Sequence, residues 1–260
     1  RSTVLCNEQH PPAVNTGDAI LSLSLDETQQ QWQGAWQAKN VALTGTDQPW
    51  PTVNANGTLT LKSAALALQG ALASDDTTHH ARFRLAFPLQ GKTKPLLTIN
   101  DAAMPWNGGK ISLGQLLVPL GGKNNLNVKL QLSDIPIDTL LQQLTGKQAT
   151  ATGVVSGTLP ITIMAGGQII IHDGQLKADK PGTIVLSPEA IPGDNEQIAL
   201  VRDVLKNLHY SLLAVNVDSD KNNKLGVTLK LEGMNPELYG GKPVKLNVHL
   251  TGNMFDFVQQ

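Results

Sequence analysis

In stretch after stretch of this chain, every second residue is apolar. Residues 19–25 place Ala19, Leu21, Leu23 and Leu25 on one side, and residues 82–87 set Phe83, Leu85 and Phe87 against Arg82 and Arg84. Residues 125–132 set Leu126, Val128, Leu130 and Leu132 against Asn125, Asn127, Lys129 and Gln131. Near the end, Val227, Leu229 and Leu231 oppose Thr228, Lys230 and Glu232. Val244, Leu246, Val248 and Leu250 then oppose Lys245, Asn247, His249 and Thr251. Successive side chains of an extended strand point to opposite sides, so a period of two collects the apolar ones on a single face. The expected fold is mainly β, with sheets that are wet on one face and dry on the other.

The punctuation agrees. Gly-Gly-Lys occurs at 108–110, 121–123 and 240–242, each time ahead of an alternating stretch. Diglycines accommodate the left-handed backbone of tight turns, so the three copies predict one unit, turn plus half-apolar strand, used repeatedly. Further strands are expected at Gln31–Leu43, Gly57–Leu72, Leu96–Asp101, Gly153–Met164, Gln168–Ala178, Thr183–Leu186 and Tyr210–Asp218. Between them lie turn formers such as Asn56-Gly57, Asn107-Gly108, Gly166-Gly167, Asp173-Gly174 and Asn222-Asn223. The alternation slips between Leu61 and Leu66, which predicts a bulge or a break.

Two segments read as helices. Pro136–Leu144 gathers Ile137, Leu140, Leu141 and Leu144 on one side, carries Asp138 in its first turn and meets Gly146 at its end. Asp194–Leu208 spaces Ile198, Val201, Leu205 and Leu208 helically behind Asp194 or Asn195 as N-cap. A short helix at Met254–Val258 is a third candidate. Two helices cannot cover so many strands, so the sheet must curl on itself, pack on another sheet, or hold something else.

With 20 basic and 21 acidic residues the chain has no footprint for nucleic acid and no polybasic patch. Only 4% of residues are aromatic, which predicts an aliphatic apolar surface without aromatic clamps. No apolar run reaches the length that spans a bilayer. The chain opens on Arg1 without a secretory leader and reads as a piece of something longer. Cys6 has no second cysteine to pair with, and Leu5 is too large for the lipoprotein box that Thr3-Val4-Leu5-Cys6 otherwise resembles.

No catalytic, metal or cofactor constellation is legible. The histidines at 10, 79, 80, 172, 209 and 249 are scattered, and His79-His80 reads as a hairpin tip after Asp75-Asp76. His172-Asp173 precedes Gly174 and reads as a turn. Gly153–Gly157 lacks nucleophile-elbow spacing, and Asp218 with Asp220 lacks the distal Glu of a calcium loop. The chain is expected not to be an enzyme.

Three segments resemble a known family. They are IDTLLQQLTGKQATATGVVSGTLPITI from Ile137, GGQIIIHDGQLKADKPGTIVLSP after it, and the closing NPELYGGKPVKLNVHLTGN. The order of a short helix, Gly153 to Pro160, Gly167 to Ala178 and Asn235 to Val244 is similar to the C-terminal region of the YdbH family of AsmA-like proteins. The resemblance is closest from about residue 100 onward. It implies a curved antiparallel sheet forming a U-shaped groove with a few short helices. It further implies the distal end of a bridge that moves phospholipid across the periplasm of a Gram-negative bacterium, redundantly with TamB and YhdP. An inner-membrane anchor would lie in a missing N-terminal part. The end of the bridge would meet a small outer-membrane lipoprotein, YnbE, by strand addition.

On that reading residues 1–260 are one C-terminal β-groove domain with a possible sub-boundary near 103–108. The groove would be lined by Leu126, Val128, Leu130, Leu132, Val227, Leu229, Leu231, Val244, Leu246, Val248 and Leu250. The partner edge would be Val244, Lys245, Leu246, Asn247, Val248, His249 and Leu250, the last strand in the chain. The other reading of the same pattern is a sealed β-sandwich that serves as a scaffold or binds a partner by strand addition. The helix at Asp194–Leu208 could cap a trough or complete a core.

Overall fold

The computed structural model describes residues 13–15, 17–44, 51–122, 124–145, 148–187, 195–219 and 224–253. Cys6, His10, Lys123, Gly146, Asp194, Asp220, Lys221, Asn222-Asn223 and the Met254–Val258 candidate helix lie outside these residues. The protein is mostly β, its strands forming an open antiparallel sheet not closed into a barrel. Contacts divide the chain into two units, residues 1–104 with 113–123, and residues 105–112 with 124–260.

The first unit holds β1 (Ala13–Asn15), β2 (Asp18–Asp26), β3 (Gln31–Thr44), β4 (Val53–Lys62), β5 (Ala65–Ala73), β6 (His80–Pro88), β7 (Leu96–Trp106) and most of β8 (Gly109–Pro119). From β2 to β7 each strand pairs antiparallel with the next. Local chemistry sets the corners. The Asp26 carboxylate accepts from the Thr28 and Gln29 amides at 3.0 and 3.1 Å, closing the β2–β3 turn. The slip expected between Leu61 and Leu66 is a break, a two-residue turn at Ser63 and Ala64. The first diglycine lends Gly108 to an Asn107-Gly108 turn with both φ positive, at 48° and 81°, as a tight hairpin of this type requires. Bulges appear instead near Asn40 in β3 and Asp101 in β7, both left-handed at φ 54° and 50°. Asn and Asp tolerate that conformation better than other side chains, which is why the register can shift there.

The β5–β6 loop is organised by Asp76, whose carboxylate accepts from the Ser74 and Thr78 hydroxyls and the Thr78 amide. These donors hold its pKa at about 2, below the usual 3.8. A depressed carboxyl stabilises the fold above its unfolded value and loses that contribution as pH falls through the folded one. Amide exchange at Thr78 is therefore expected to stay slow down to about pH 3.8 and to accelerate as pH approaches about 2. Asp76→Asn should remove that acid transition.

The second unit holds β9 (Leu126–Pro136), α1 (Ile137–Thr145), β10 (Ala149–Ala151), β11 (Val154–Ile163), β12 (Ile169–Ile171), β13 (Gly174–Ala178), β14 (Gly182–Leu186), α2 (Glu196–Leu205), β15 (Leu208–Ser219), β16 (Lys224–Met234) and β17 (Val244–Asn253). β9 pairs with β11, β13 with β11 and β15, and β15, β16 and β17 follow in order. The segment 168–178, read as one strand, is two. β12 and β13 face different halves of β11 across a break at His172 and Asp173, the latter at φ 45°. Asn195 caps α2, its side chain accepting from the Ile198 amide at 2.8 Å.

The sealed core lies in this unit. Ile137 of α1 and Val204 and Leu205 of α2 pack with Leu132, Ile135, Val155, Leu176, Ile184, Leu208, Tyr210, Leu213 and Leu231. Tyr210 is 1% exposed and donates its hydroxyl to the Thr152 carbonyl at 2.8 Å, while burial raises its pKa. Asn235, also buried, donates to the Asp203 and Val204 carbonyls at 2.9 and 3.3 Å and so fastens the C-terminal end of α2.

Candidate functional site

The registers of unit 1 stack its alternating strands into rows. One row runs Leu21, Trp36, Gly57, Gly70, Phe83 and Ile99 across six strands. The next runs Leu23, Gly34, Leu59, Leu68, Leu85 and Leu97. A third runs Leu25, Trp32, Leu61, Leu66 and Phe87. Directly opposed residues share a side, so these rows tile one apolar face, about 25 Å across at strand spacing. The reverse face carries Ser22, Ala35, Thr58, Gln69, Arg84 and Thr98.

Unit 1 contains no described helix, and no residue of these three rows is fully buried. Leu21, Leu23, Leu25 and Trp32 remain 46 to 55% exposed. The floor is filled where it lacks side chains. A Cβ on Gly70 would meet the Trp36 ring, Cη2 at 3.1 Å, so the indole lies over the glycine. Its ring centroid is 5.9 Å from that of Phe83, and its N–H is buried without an acceptor among the described residues. An indole N–H left in that state marks surroundings with no polar group to offer.

The chain has 4 Trp, 4 Phe and 2 Tyr, and Trp32, Trp36, Phe83 and Phe87 all lie on this one face. The aliphatic surface expected from composition is thus corrected here. A low aromatic content says nothing about clustering, which the strand register decides. The alternation at 19–25 and 82–87 marked two of these strands. Trp32, Leu59, Leu68 and Leu97 went unnoticed as surface residues because their face depends on pairing partners up to two hairpins away.

In unit 2 the predicted lining residues divide. Leu132 and Leu231 are buried in the sealed core, and Leu130, Val244 and Leu246 pack against it. Val227 is buried in a smaller cluster with Leu225, to which Ile169, Ile171, Val217 and Leu229 contribute. Val128 is buried, and Leu126 and Val248 are half-buried. The side chain of Leu250 is not among those described. In rows, Leu213–Leu231–Leu246 lies in the sealed region, whereas Val217–Val227 lies in the smaller cluster. The helix expected at Asp194–Leu208 is α2, Glu196–Leu205, with Leu208 already in β15, and it completes a core.

The last strand, β17, pairs with β16 along its whole length, from Val244↔Gly233 to Asn253↔Lys224. Lys245 donates to Glu232 at 2.7 Å and His249 contacts Thr228 at 3.0 Å, both on the wet face, alternating with Asn247.

Titratable side chains do not converge. His79, His80, His172, His209 and His249 contact Thr78, Asp101, Thr162, Asn207 and Thr228 in turn. Among the described residues no three His, Cys, Asp or Glu side chains could hold a metal, and no helix is long and apolar enough to cross a membrane.

A model of a YdbH-like family, described as intermembrane phospholipid transport protein YdbH, matches residues 9–259. No curated protein and no solved structure matches the chain. The family is one of lipid transporters rather than enzymes, and the match spans nearly every residue of both units. With an apolar sheet face in place of a catalytic constellation, the chain belongs to the YdbH-like family of intermembrane phospholipid transport proteins.

Proposed function

We propose that the chain is a non-enzymatic segment of a lipid bridge between the inner and outer membranes of a Gram-negative envelope, its apolar sheet face shielding acyl chains. The observation that carries this is the partly exposed face of unit 1, with Leu21, Leu23 and Leu25 about half exposed in a continuous apolar field. A two-chain lipid has roughly 30 methylenes, and exposing them to water at about 0.8 kcal/mol each costs on the order of 20 kcal/mol. Free passage through water is thereby closed, and a continuous apolar strip removes the cost without any reacting group. In this reading the protein works in the periplasm, with its membrane anchor supplied elsewhere in the full polypeptide. In unit 2 the lipid path would follow the half-buried Val217 and Leu229, and avoid the row at Leu231 and Leu246, which packs into the sealed core.

Photo-crosslinkers test this. Placed at Leu23 or Leu68 in cells they are expected to capture phospholipid, while those at Ser22 or Gln69 on the reverse face should not. Equal labelling of both faces would sink the proposal. In unit 2, the half-buried Leu229 should label and the buried Leu213 should not.

Strand addition at β17 is a second reading, favoured by its place as the last strand of the chain, in continuous register with β16. An outer-membrane lipoprotein of the YnbE type could extend the sheet there by backbone hydrogen bonds along Val244–Leu250. Prolines placed singly at Asn247 and Val248 remove neighbouring amides that point to opposite sides. One of the two should abolish co-purification of the lipoprotein while the fold persists. Retention in both variants moves the partner to another edge.

A further inference from the structure

We infer that the rim of unit 1 built from the β4–β5 turn and the β6–β7 loop receives the phosphate headgroup of the lipid whose tails lie on the adjoining face; this rests on the reading of that face given above. Lys92 and Lys94 stand exposed in the β6–β7 loop beside the turn after β4, while Lys62, which ends β4 and is also exposed, alternates with Leu61 and so leaves the sheet on the reverse side of the same rim. None of them is in an ion pair with a described residue. The two segments are neighbours, since the Leu89 amide donates to the Ala64 carbonyl at 2.7 Å. The acids at this end of the sheet, Asp26 and Glu27, sit in the β2–β3 turn, where the Asp26 carboxylate is occupied by backbone amides.

The apolar row beside this rim is the bulky one, Leu25–Trp32–Leu61–Leu66–Phe87, with Leu89 51% exposed just beyond it. Aliphatic floor, aromatic border and then lysine is the order in which side chains match a lipid from tail to phosphate. The other rim has the opposite character. Its last row is small, Ala19–Ala38–Ala55–Leu72–Ala81. It carries Asp75, Asp76 and Asp101, with the His80 ring and the Arg82 guanidinium 3.9 and 3.7 Å from Asp101, and Lys39 stands opposite Asp18. Asp76 stays ionised at any physiological pH. A phosphodiester anion is drawn to the lysine rim and repelled from the aspartate rim, so lipids would ride the face in one orientation.

The test uses the whole chain with a benzophenone at Leu66 and two radiolabelled short-chain probes, dihexanoyl phosphatidylglycerol and dihexanoylglycerol, which share tails and differ in the phosphate headgroup. The phospholipid is expected to label about ten-fold or more strongly. In Lys62→Gln/Lys92→Gln/Lys94→Gln that advantage should vanish while dihexanoylglycerol labelling is unchanged. The loop-only variant Lys92→Gln/Lys94→Gln should lose most of it, and Arg82→Gln on the other rim none. Equal labelling by both probes, or an unchanged triple variant, overturns the headgroup assignment. Loss of phospholipid labelling on adding millimolar inorganic phosphate at constant ionic strength overturns it in favour of a free-anion site. If neither probe labels the unaltered chain, the lipid reading of the face falls, and this inference with it.

Discussion

Leu208→Ala is expected to lower the unfolding free energy by about 3–5 kcal/mol, whereas Leu23→Ala should cost about 1 kcal/mol or less. Both remove the same atoms from an apolar face. Leu208 is 0% exposed, beneath the helices of unit 2, so its loss leaves a cavity that close-packed neighbours cannot fill. Leu23 is 52% exposed in an open field, so its loss removes fewer contacts and leaves no void. Urea unfolding of the two variants and the parent checks this. Equal losses would mean that the face of unit 1 is sealed in solution, and the sandwich reading would replace the lipid-bearing one.

Leu68→Asp should reduce phospholipid capture by a crosslinker at Leu59 by about ten-fold to a hundred-fold, with little loss of stability. Leu59 and Leu68 are directly opposed on the face. A carboxylate there must be stripped of its remaining water when an acyl chain covers it, which costs several kcal/mol, whereas in the unliganded protein this half-buried position leaves it partly hydrated. Gln69→Asp puts the same charge one residue away on the wet face and should leave capture unchanged. Undiminished capture by Leu68→Asp would remove this face from the lipid path.

Both results depend on a distinction that is only half visible in the sequence. Alternation at 19–25, 125–132 and 244–250 identifies strands and their dry sides because a pleated strand has an invariant period of two. The helices were legible from the spacing of Ile137, Leu140 and Leu141 and of Val201 and Leu205, and the Asn195 cap from its side chain. The bulges at Asn40 and Asp101 were not, because an Asx residue inside a strand becomes left-handed only where the neighbouring strands demand a shifted register. The turn at His172 and Asp173 was legible from Asp173-Gly174, but not that it divides the stretch into two strands serving two halves of β11.

The site shows the same boundary. Leu231 and Val227 occupy equivalent positions in the alternation of one strand, both on its dry side. One lies under α2 in the sealed core and the other in a separate cluster toward the far end of the strand. Trp32 and Phe87 lie 55 positions apart, yet pairing through β4 and β5 puts them in one row.

By itself the sequence determined that this protein is built of half-apolar antiparallel strands joined by tight turns, since periodicity and turn chemistry are local properties. Only the tertiary structure decided which part of the dry face is covered and which stands open. Coverage depends on where α1 and α2 come to rest and on how registers align across many strands. Those are sums over contacts between residues far apart in the chain, and no local window contains them.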